Sequence, residues 1–261
     1  MVRRPLGNHH VGPDTLLVTS TDTENETMEL RELRELIVRA RVVLWDFDGP
    51  VCRLFAGHPA ADVAKGLIGH LEKLGLGDLL TPDERRSTDP QVLLRAVDRR
   101  RPGSDLVVQL EDHLTAEELR AAESAMPTPY ADPVIRTWAA VGSRMVITTN
   151  NAPRVVRSYL TDRGLLSCFA PHVYGRTNDL QLLKPDPYCL NRALSATGSA
   201  AGNALMIGDT ASDFQAARAA GVPFLGYARN ERKEKLLREA GATAVVDSLR
   251  LIHEVLWQVH A

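Results

Sequence analysis

The stretch Val42-Val43-Leu44-Trp45-Asp46-Phe47-Asp48-Gly49-Pro50-Val51 decides the fold. Its first four residues are apolar and rich in β-formers, the composition of a short strand buried on both faces of a parallel sheet. Asp46 and Asp48 follow where that strand stops, and residues two apart on an extended chain point the same way. Both carboxylates are therefore expected in the crevice outside the carboxyl ends of the strands, where open α/β sheets bind their ligands. Gly49 lets the backbone turn tightly behind them.

From residue 131 onward, helical and strand-like stretches alternate, which is the βαβ signature of a parallel sheet. Helices are expected near 132–141, 152–163, 187–197, 211–220 and 230–240, with a last one at the end of the chain. Strands are expected at 144–148, weakly at 171–174, and at 204–207, 223–227 and 243–246. Residues 53–127 break the alternation: GLIGHLEKLGLGDLL, DPQVLLRAV and LTAEELRAAESAM read as successive helices without a strand between them. The fold class is thus α/β, a Rossmann-like doubly wound parallel sheet, with a catalytic core of residues 42–52 and 128–261 and a helical domain at 53–127 inserted directly after the acidic loop, where it would sit as a lid. Residues 1–41 form an N-terminal extension, read as mobile to about residue 27 and helical from Met28, which also offers an alternative translation start. His9 and His10 are adjacent without a third ligand and belong to a solvated tail.

With 261 residues, 44% apolar and 25% charged, the chain can bury a sizeable core. A net charge of -2 gives no electrostatic reason to expect nucleic acid, and no apolar stretch is long enough to span a bilayer. Three cysteines, Cys52, Cys168 and Cys189, share no metal or redox spacing and suit a reducing cytoplasm.

Three further stretches carry chemistry. Strand 144–148 runs into Thr149-Asn150-Asn151, with Pro153 where a first-turn helix proline belongs, so a hydroxyl, an amide and free helix N–H groups converge on one anion site. An ordinary Asn cap would look the same in isolation. Lys184 in LLKPDPY offers a lone cation on a loop, which by itself reads equally as a surface lysine. Strand 204–207 delivers Gly208-Asp209, and Asp213 lies four residues on, at helical spacing from Asp209. Together with Asp46 these are hard oxygen donors of the kind Mg²⁺ takes.

Four such signals in order, each at a strand end or in the loop before a helix, resemble the haloacid dehalogenase superfamily. Its motifs match here as DFDGPV, ITTN, LKPDP and GDTASDFQAARAAG, covering about residues 42–247. The helical insertion resembles the cap of the phosphoglycolate phosphatase and β-phosphoglucomutase-like branch. The resemblance implies a phosphoric monoester hydrolase in which Asp46 is the nucleophile and forms an aspartyl-phosphate, and Asp48 is the general acid and base. It implies Mg²⁺ held by Asp46, Asp209, Asp213 and the main chain of Asp48, with Lys184 and Thr149 stabilising charge on the transferred phosphoryl group. Asn150, Gly49 and Arg53 are expected to contact phosphate or substrate, and Thr148 is the weaker choice of motif threonine. Asp48 argues against dehalogenation, whose enzymes lack that second acid. Pro50 departs from the threonine common in the motif but leaves every acid in place.

The expected substrate is a small phosphorylated metabolite, handled by a monomer or homodimer. A phosphomutase would use the same residues, and an idle interaction protein could share the fold. Phe55, His58, Arg95, Arg99, Arg100 and Arg101 are further candidates near the entrance and in the insertion. An inward-pointing arginine there would favour a carboxylate or second phosphate on the substrate.

Overall fold

In the computed structural model, residues 20–260 are described, with side chains from Leu30 onward. His9, His10 and the extension before Ser20 lie outside the described residues. Helix α1 (Ser20–Arg39) begins eight residues ahead of the expected start at Met28. The tract Thr21-Asp22-Thr23-Glu24-Asn25-Glu26 lacks the apolar periodicity on which the expected start rests, so the sequence pattern does not mark the earlier turns.

Strand β1 (Val42–Trp45) leads through the acidic loop to β2 (Cys52–Arg53). Four helices follow: α2 (Ala60–Lys73), α3 (Pro82–Arg85), α4 (Pro90–Arg100) and α5 (Asp105–Glu123). Where one helical stretch was read over 66–80, α2 starts earlier and stops at Lys73, because Gly75 takes a left-handed φ of +68° that breaks the turn. Strand β3 (Met126–Pro127) pairs antiparallel with β2, so the two ends of the insertion are stitched into a short ribbon that periodicity in so few residues does not announce.

The chain continues with α6 (Ala131–Ala140), β4 (Arg144–Thr148), α7 (Pro153–Asp162), the short α8 (Leu166–Phe169), β5 (Val173–Tyr174), α9 (Tyr188–Thr197) and β6 (Ala204–Gly208). It closes with α10 (Ala211–Ala220), β7 (Phe224–Tyr227), α11 (Glu231–Ala240), β8 (Val245–Val246) and α12 (Leu249–His260). Six strands form one parallel sheet in the order β5-β4-β1-β6-β7-β8. The fold is a Rossmann-like α/β sandwich.

Alternate residues of the central strands enter separate cores. Val43, Trp45, Met145, Ile147, Leu205 and Ile207 pack with Leu33, Ile37, Trp138 and Leu256 on one face. Val42, Leu44, Val146 and Met206 pack with Leu190 and Ala217 on the other. The inserted helices have their own apolar core, including Leu67, Leu71, Leu93, Leu94, Val97, Leu110 and Leu114. Leu180 and Leu183, from the loop ahead of α9, belong to that core too. Among the described residues, no helix is long and apolar enough to cross a membrane.

Candidate active site

Strand register assembles the site. Trp45 pairs with Ile147 on one side and Ile207 on the other, so the three central strands end at one level. Chain order also reverses at β1, since β4 lies on one flank and β6 on the other, which makes its carboxyl end the switch point of the sheet. Asp46 emerges there, its amide donating to Ile207 O at 2.9 Å, with Thr149 and Asp209 at the neighbouring strand ends.

The acidic loop folds back on itself. Asp48 Oδ1 accepts a hydrogen bond from Leu54 N at 2.8 Å. Gly49 sits at φ +130°, and a Cβ there would lie 2.3 Å from Asp209 Cγ, so only glycine lets the loop approach that carboxylate. Its amide donates to Cys52 O at 2.6 Å and its carbonyl accepts from Thr128 Oγ1 at 2.5 Å. The Gly49 amide is thus used within the turn, and the residue allows close packing against Asp209.

Lys184 is buried and binds three oxygens at once. Its Nζ donates to Asp46 Oδ1 at 2.8 Å and to Thr148 O at 2.9 Å, and it also reaches Asp213 Oδ1. Burial alone would push this ammonium toward neutrality, but Asp213 and Asp46 reverse the effect and hold its pKa above the usual lysine value. Asn150 fixes the lysine backbone at two points, Nδ2 donating to Lys184 O at 3.1 Å and Oδ1 accepting from Lys184 N at 2.8 Å. Thr149 Oγ1 donates to Asn151 Oδ1 at 2.9 Å and accepts from Asn151 N at 3.2 Å. Thr148 turns into the sheet, its hydroxyl against Met206 Sδ, as strand alternation requires.

Asp46, Asp209 and Asp213 each present an oxygen, all within 4.8 Å of one another. Asp213 Oδ2 also closes a capping box at the start of α10, accepting from Thr210 Oγ1 at 2.6 Å and Thr210 N at 3.0 Å. Lys233 Nζ contacts Asp209 Oδ2, whereas Asp209 Oδ1 is buried with no partner among the described residues. A buried, unsatisfied carboxylate oxygen facing two other acids is the arrangement a hard divalent cation satisfies, so the donors fit Mg²⁺. Asp48 stands outside the trio. Burial raises the pKa of Asp48 to about 6 and that of Asp209 to about 6. Asp46 is also raised, by burial and the Asp213 charge, against the opposing pull of Lys184.

These groups open onto a cavity of about 230 Å³. Asp46, Asp48, Thr149, Asn150, Lys184 and Asp213 line its floor, and Phe55, Ala60, Thr88, Asp89, Pro90 and Gln91 its roof. A slightly larger cavity, about 270 Å³, lies between α1, β7 and β8; apart from Glu32, Arg238 and Thr243 its lining is apolar, without a cluster of chemical groups. Arg53 does not reach the active-site cavity. In β2 its neighbour Cys52 takes the buried side of the alternation, leaving Arg53 exposed with its guanidinium on Met126 Sδ at 2.9 Å. His58 Nε2 donates to Glu117 Oε2, 2.7 Å away, and is likewise outside the lining.

Sequence reasoning missed Lys233, which nothing distinguishes from its charged neighbours in α11, and Arg176. It also missed Asp89, although an aspartate directly before a proline is a readable helix start. Arg176 and Glu118 are fully buried and paired, NH1 to Oε1 at 2.8 Å and NH2 to Oε2 at 3.0 Å. Arg176 Nε also meets Glu111 Oε1 at 3.0 Å. Glu118 further accepts from Asn151 Nδ2 at 3.0 Å and Ala152 N at 3.2 Å, tying α5 to the loop that carries Thr149.

Comparison with known proteins agrees with this geometry. Residues 40–221 match the family model described as haloacid dehalogenase-like hydrolase. A phosphoglycolate phosphatase from Thiobacillus denitrificans is 35% identical over 115 residues, 44% of this chain and 50% of that protein. One from Rhodospirillum rubrum is 36% identical over 123 residues, 46% of this chain and 48% of that protein. The chain thus spans about half the length of the curated relatives it matches. Among solved structures, a predicted phosphatase from Clostridium acetobutylicum superposes with a TM-score of 0.61 at 17% identity, over 83% of this chain and 98% of that one. A putative phosphoglycolate phosphatase from Lactobacillus plantarum gives 0.61 at 18% identity, over 83% and 99%. At such identities the likeness is one of fold.

Proposed function

We propose that the chain, which belongs to the haloacid dehalogenase-like hydrolases, is a Mg²⁺-dependent phosphatase that hydrolyses a small phosphomonoester through an aspartyl-phosphate on Asp46. The observation that carries this reading is Lys184 Nζ, buried between Asp46 Oδ1 and Asp213 Oδ1 at the mouth of the central strands. A buried ammonium held between two carboxylates of an acid cluster is a costly arrangement for packing alone and is common where a site uses the charge.

Asp46 attacks phosphorus, and the leaving-group oxygen departs on the opposite side. Burial raises the pKa of Asp48, two residues on, to about 6, which brings its proton exchange within reach of neutral pH and suits it to protonate that oxygen. Once deprotonated, it takes a proton from the water that cleaves the acyl phosphate. As the phosphoryl group enters, Lys184 and Thr149 would exchange contacts within the site for its equatorial oxygens, and Asn150 keeps the lysine backbone in place. Asp46, Asp209 and Asp213 would hold Mg²⁺, with Asp48 contributing through its main chain. When bound, the ion neutralises the repulsion between the carboxylates and the phosphate dianion.

In this reading the insertion at 53–127 is the cap that roofs the cavity and excludes bulk water. Free cysteines, two of them buried, suit a reducing compartment, and the cytoplasm is the proposed location. The test is phosphate release from a panel of phosphomonoesters with MgCl₂, wild type beside Asp46→Asn. Metal-dependent release that vanishes in the variant supports the assignment; release that persists near the wild-type rate sinks it.

A further inference from the structure

Two lysines hold the acid cluster, and the chemistry described above uses only one of them. Among the described residues, Lys184 and Lys233 are the cations bonded to Asp46, Asp209 or Asp213. The arginines in and just after α4 stay off the cluster: Arg95 donates to Lys184 O at 3.3 Å, Arg99 and Arg100 both bind Glu84 at 2.9 Å, and Arg101 is exposed. Lys233 comes from the first turn of α11, where the capping Asn230 side chain accepts from Lys233 N at 3.0 Å. The helix dipole favours acids in a first turn and disfavours cations. Glu231 and Glu234 follow that preference. Lys233 goes against it, and its ammonium reaches away from the helix to Asp209, contacting Oδ2 and donating to the main-chain O at 3.2 Å.

This two-point grip decides which oxygen Asp209 has to offer. The carboxylate is also crowded by the acidic loop, since a Cβ on Gly49 would lie 2.3 Å from its Cγ. With Oδ2 bonded to Lys233, the oxygen left over is Oδ1, buried and without a partner among the described residues. Asp209 can thus give a cation one oxygen and not two. Denticity separates the two common hard cations. Mg²⁺ is small and demands near-octahedral geometry, whereas the larger Ca²⁺ readily takes a carboxylate through both oxygens.

We propose that Lys233 is a positioning residue that keeps Asp209 a one-oxygen ligand and so biases the site toward Mg²⁺ over Ca²⁺. This rests on the metal site of the phosphatase reading. An ammonium beside the site also repels any cation, but it acts alike on two ions of equal charge. That repulsion, and any change in protonation of the acids, therefore drops out of a comparison between the two ions.

Calorimetric titration of the metal-stripped full chain with MgCl₂ and with CaCl₂ tests the proposal. Wild type is compared with Lys233→Met and Lys233→Ala, replacements that suit a helix and remove the ammonium. The Lys233 side chain is 26% exposed, so neither change opens the core, and either variant decides the matter should the other fail to fold. Freeing Asp209 Oδ2 is expected to shift the ratio of the two dissociation constants toward Ca²⁺ by about fivefold or more. A smaller shift, or one toward Mg²⁺, overturns the proposal. Phosphate release by wild type is read beside the titrations. Release with an unmoved ratio discards the role of Lys233 and keeps the phosphatase, whereas a shifted ratio without release discards the phosphatase and keeps the role. A wild type that binds neither ion discards the metal site and the role of Lys233 with it.

Discussion

Replacing Glu118 by alanine is the sharpest perturbation of the architecture around the site. Its carboxylate accepts four hydrogen bonds: two from Arg176, at 2.8 and 3.0 Å, one from Asn151 Nδ2 at 3.0 Å, and one from Ala152 N at 3.2 Å. Both members of the ion pair are wholly buried. Glu118→Ala leaves the guanidinium with Glu111, Thr115 and the Asn150 carbonyl, and strands two loop donors. Breaking a buried pair from one side costs about 3–5 kcal/mol, a large share of the 5–15 kcal/mol that holds a domain together. Removing both partners together, as Glu118→Leu with Arg176→Met, spares the uncompensated charge, so the double variant should be more stable than either single one. Urea unfolding followed by circular dichroism, arranged as a double-mutant cycle, should return a coupling above about 2 kcal/mol. A loss under about 1 kcal/mol in Glu118→Ala, or additive effects, would refute the reasoning. The folded double variant should still lose turnover, since Asn151 and Ala152 no longer fix the loop that bears Thr149.

Asp46→Asn should abolish phosphate release while leaving the melting temperature near wild type; a fall of more than about 5 °C would show that the carboxylate is structural rather than reactive. Gly49→Ala forces a Cβ to 2.3 Å from Asp209 Cγ at φ +130°, so a stability loss above about 1–3 kcal/mol and weakened metal dependence are expected, checked by unfolding and by MgCl₂ titration of activity. The buried acids predict a pH trend. Asp48 and Asp209 are raised from 3.8 to about 6, so between those values the folded state holds protons that the unfolded chain has released. Without a divalent ion, stability should therefore fall as pH rises through that window, MgCl₂ should offset the fall, and Asp209→Asn should flatten it. Thermal melts at pH 4.5 and 7 that show Asp209→Asn steeper than wild type would contradict this.

The parallel sheet was legible because its central strands are buried and read as short apolar runs separated by helical stretches. The placing of Asp46 and Asp209 followed from where those runs stop, whereas Lys184, in a loop, stood out only through the resemblance of its LKPDP motif. What escaped were features that depend on contact rather than on order. The pairing of β2 with β3 involves two residues from each strand, too few to show a period. Arg176 is one arginine in a polar loop, and Glu118 lies on the buried stripe of α5 with Leu114 and Ala121, but nothing in either stretch names the other; only the packing of the insertion on the core makes them one buried pair. Arg53 went the other way: adjacency to the acidic loop suggested a substrate contact, but the period-two alternation of β2 turns it to solvent.

The same packing joins the inserted helices and the Lys184 loop into one mechanical unit. Leu180 and Leu183, four residues and one residue ahead of Lys184, sit in the apolar core of the inserted helices. Gln181 Nε2 donates to Asp98 Oδ2 at 2.7 Å, and Arg95 reaches Lys184 O, so α4 holds both ends of that loop. On the other flank, Glu118 of α5 holds Asn151 and Ala152, next to Thr149. Displacing the inserted helices would therefore drag the lysine from Asp46 and loosen the threonine loop in the same motion. Closure over a substrate and completion of the charge-stabilising set become a single event, so a chain with its cap open would lack the arrangement needed to attack phosphate from bulk solvent.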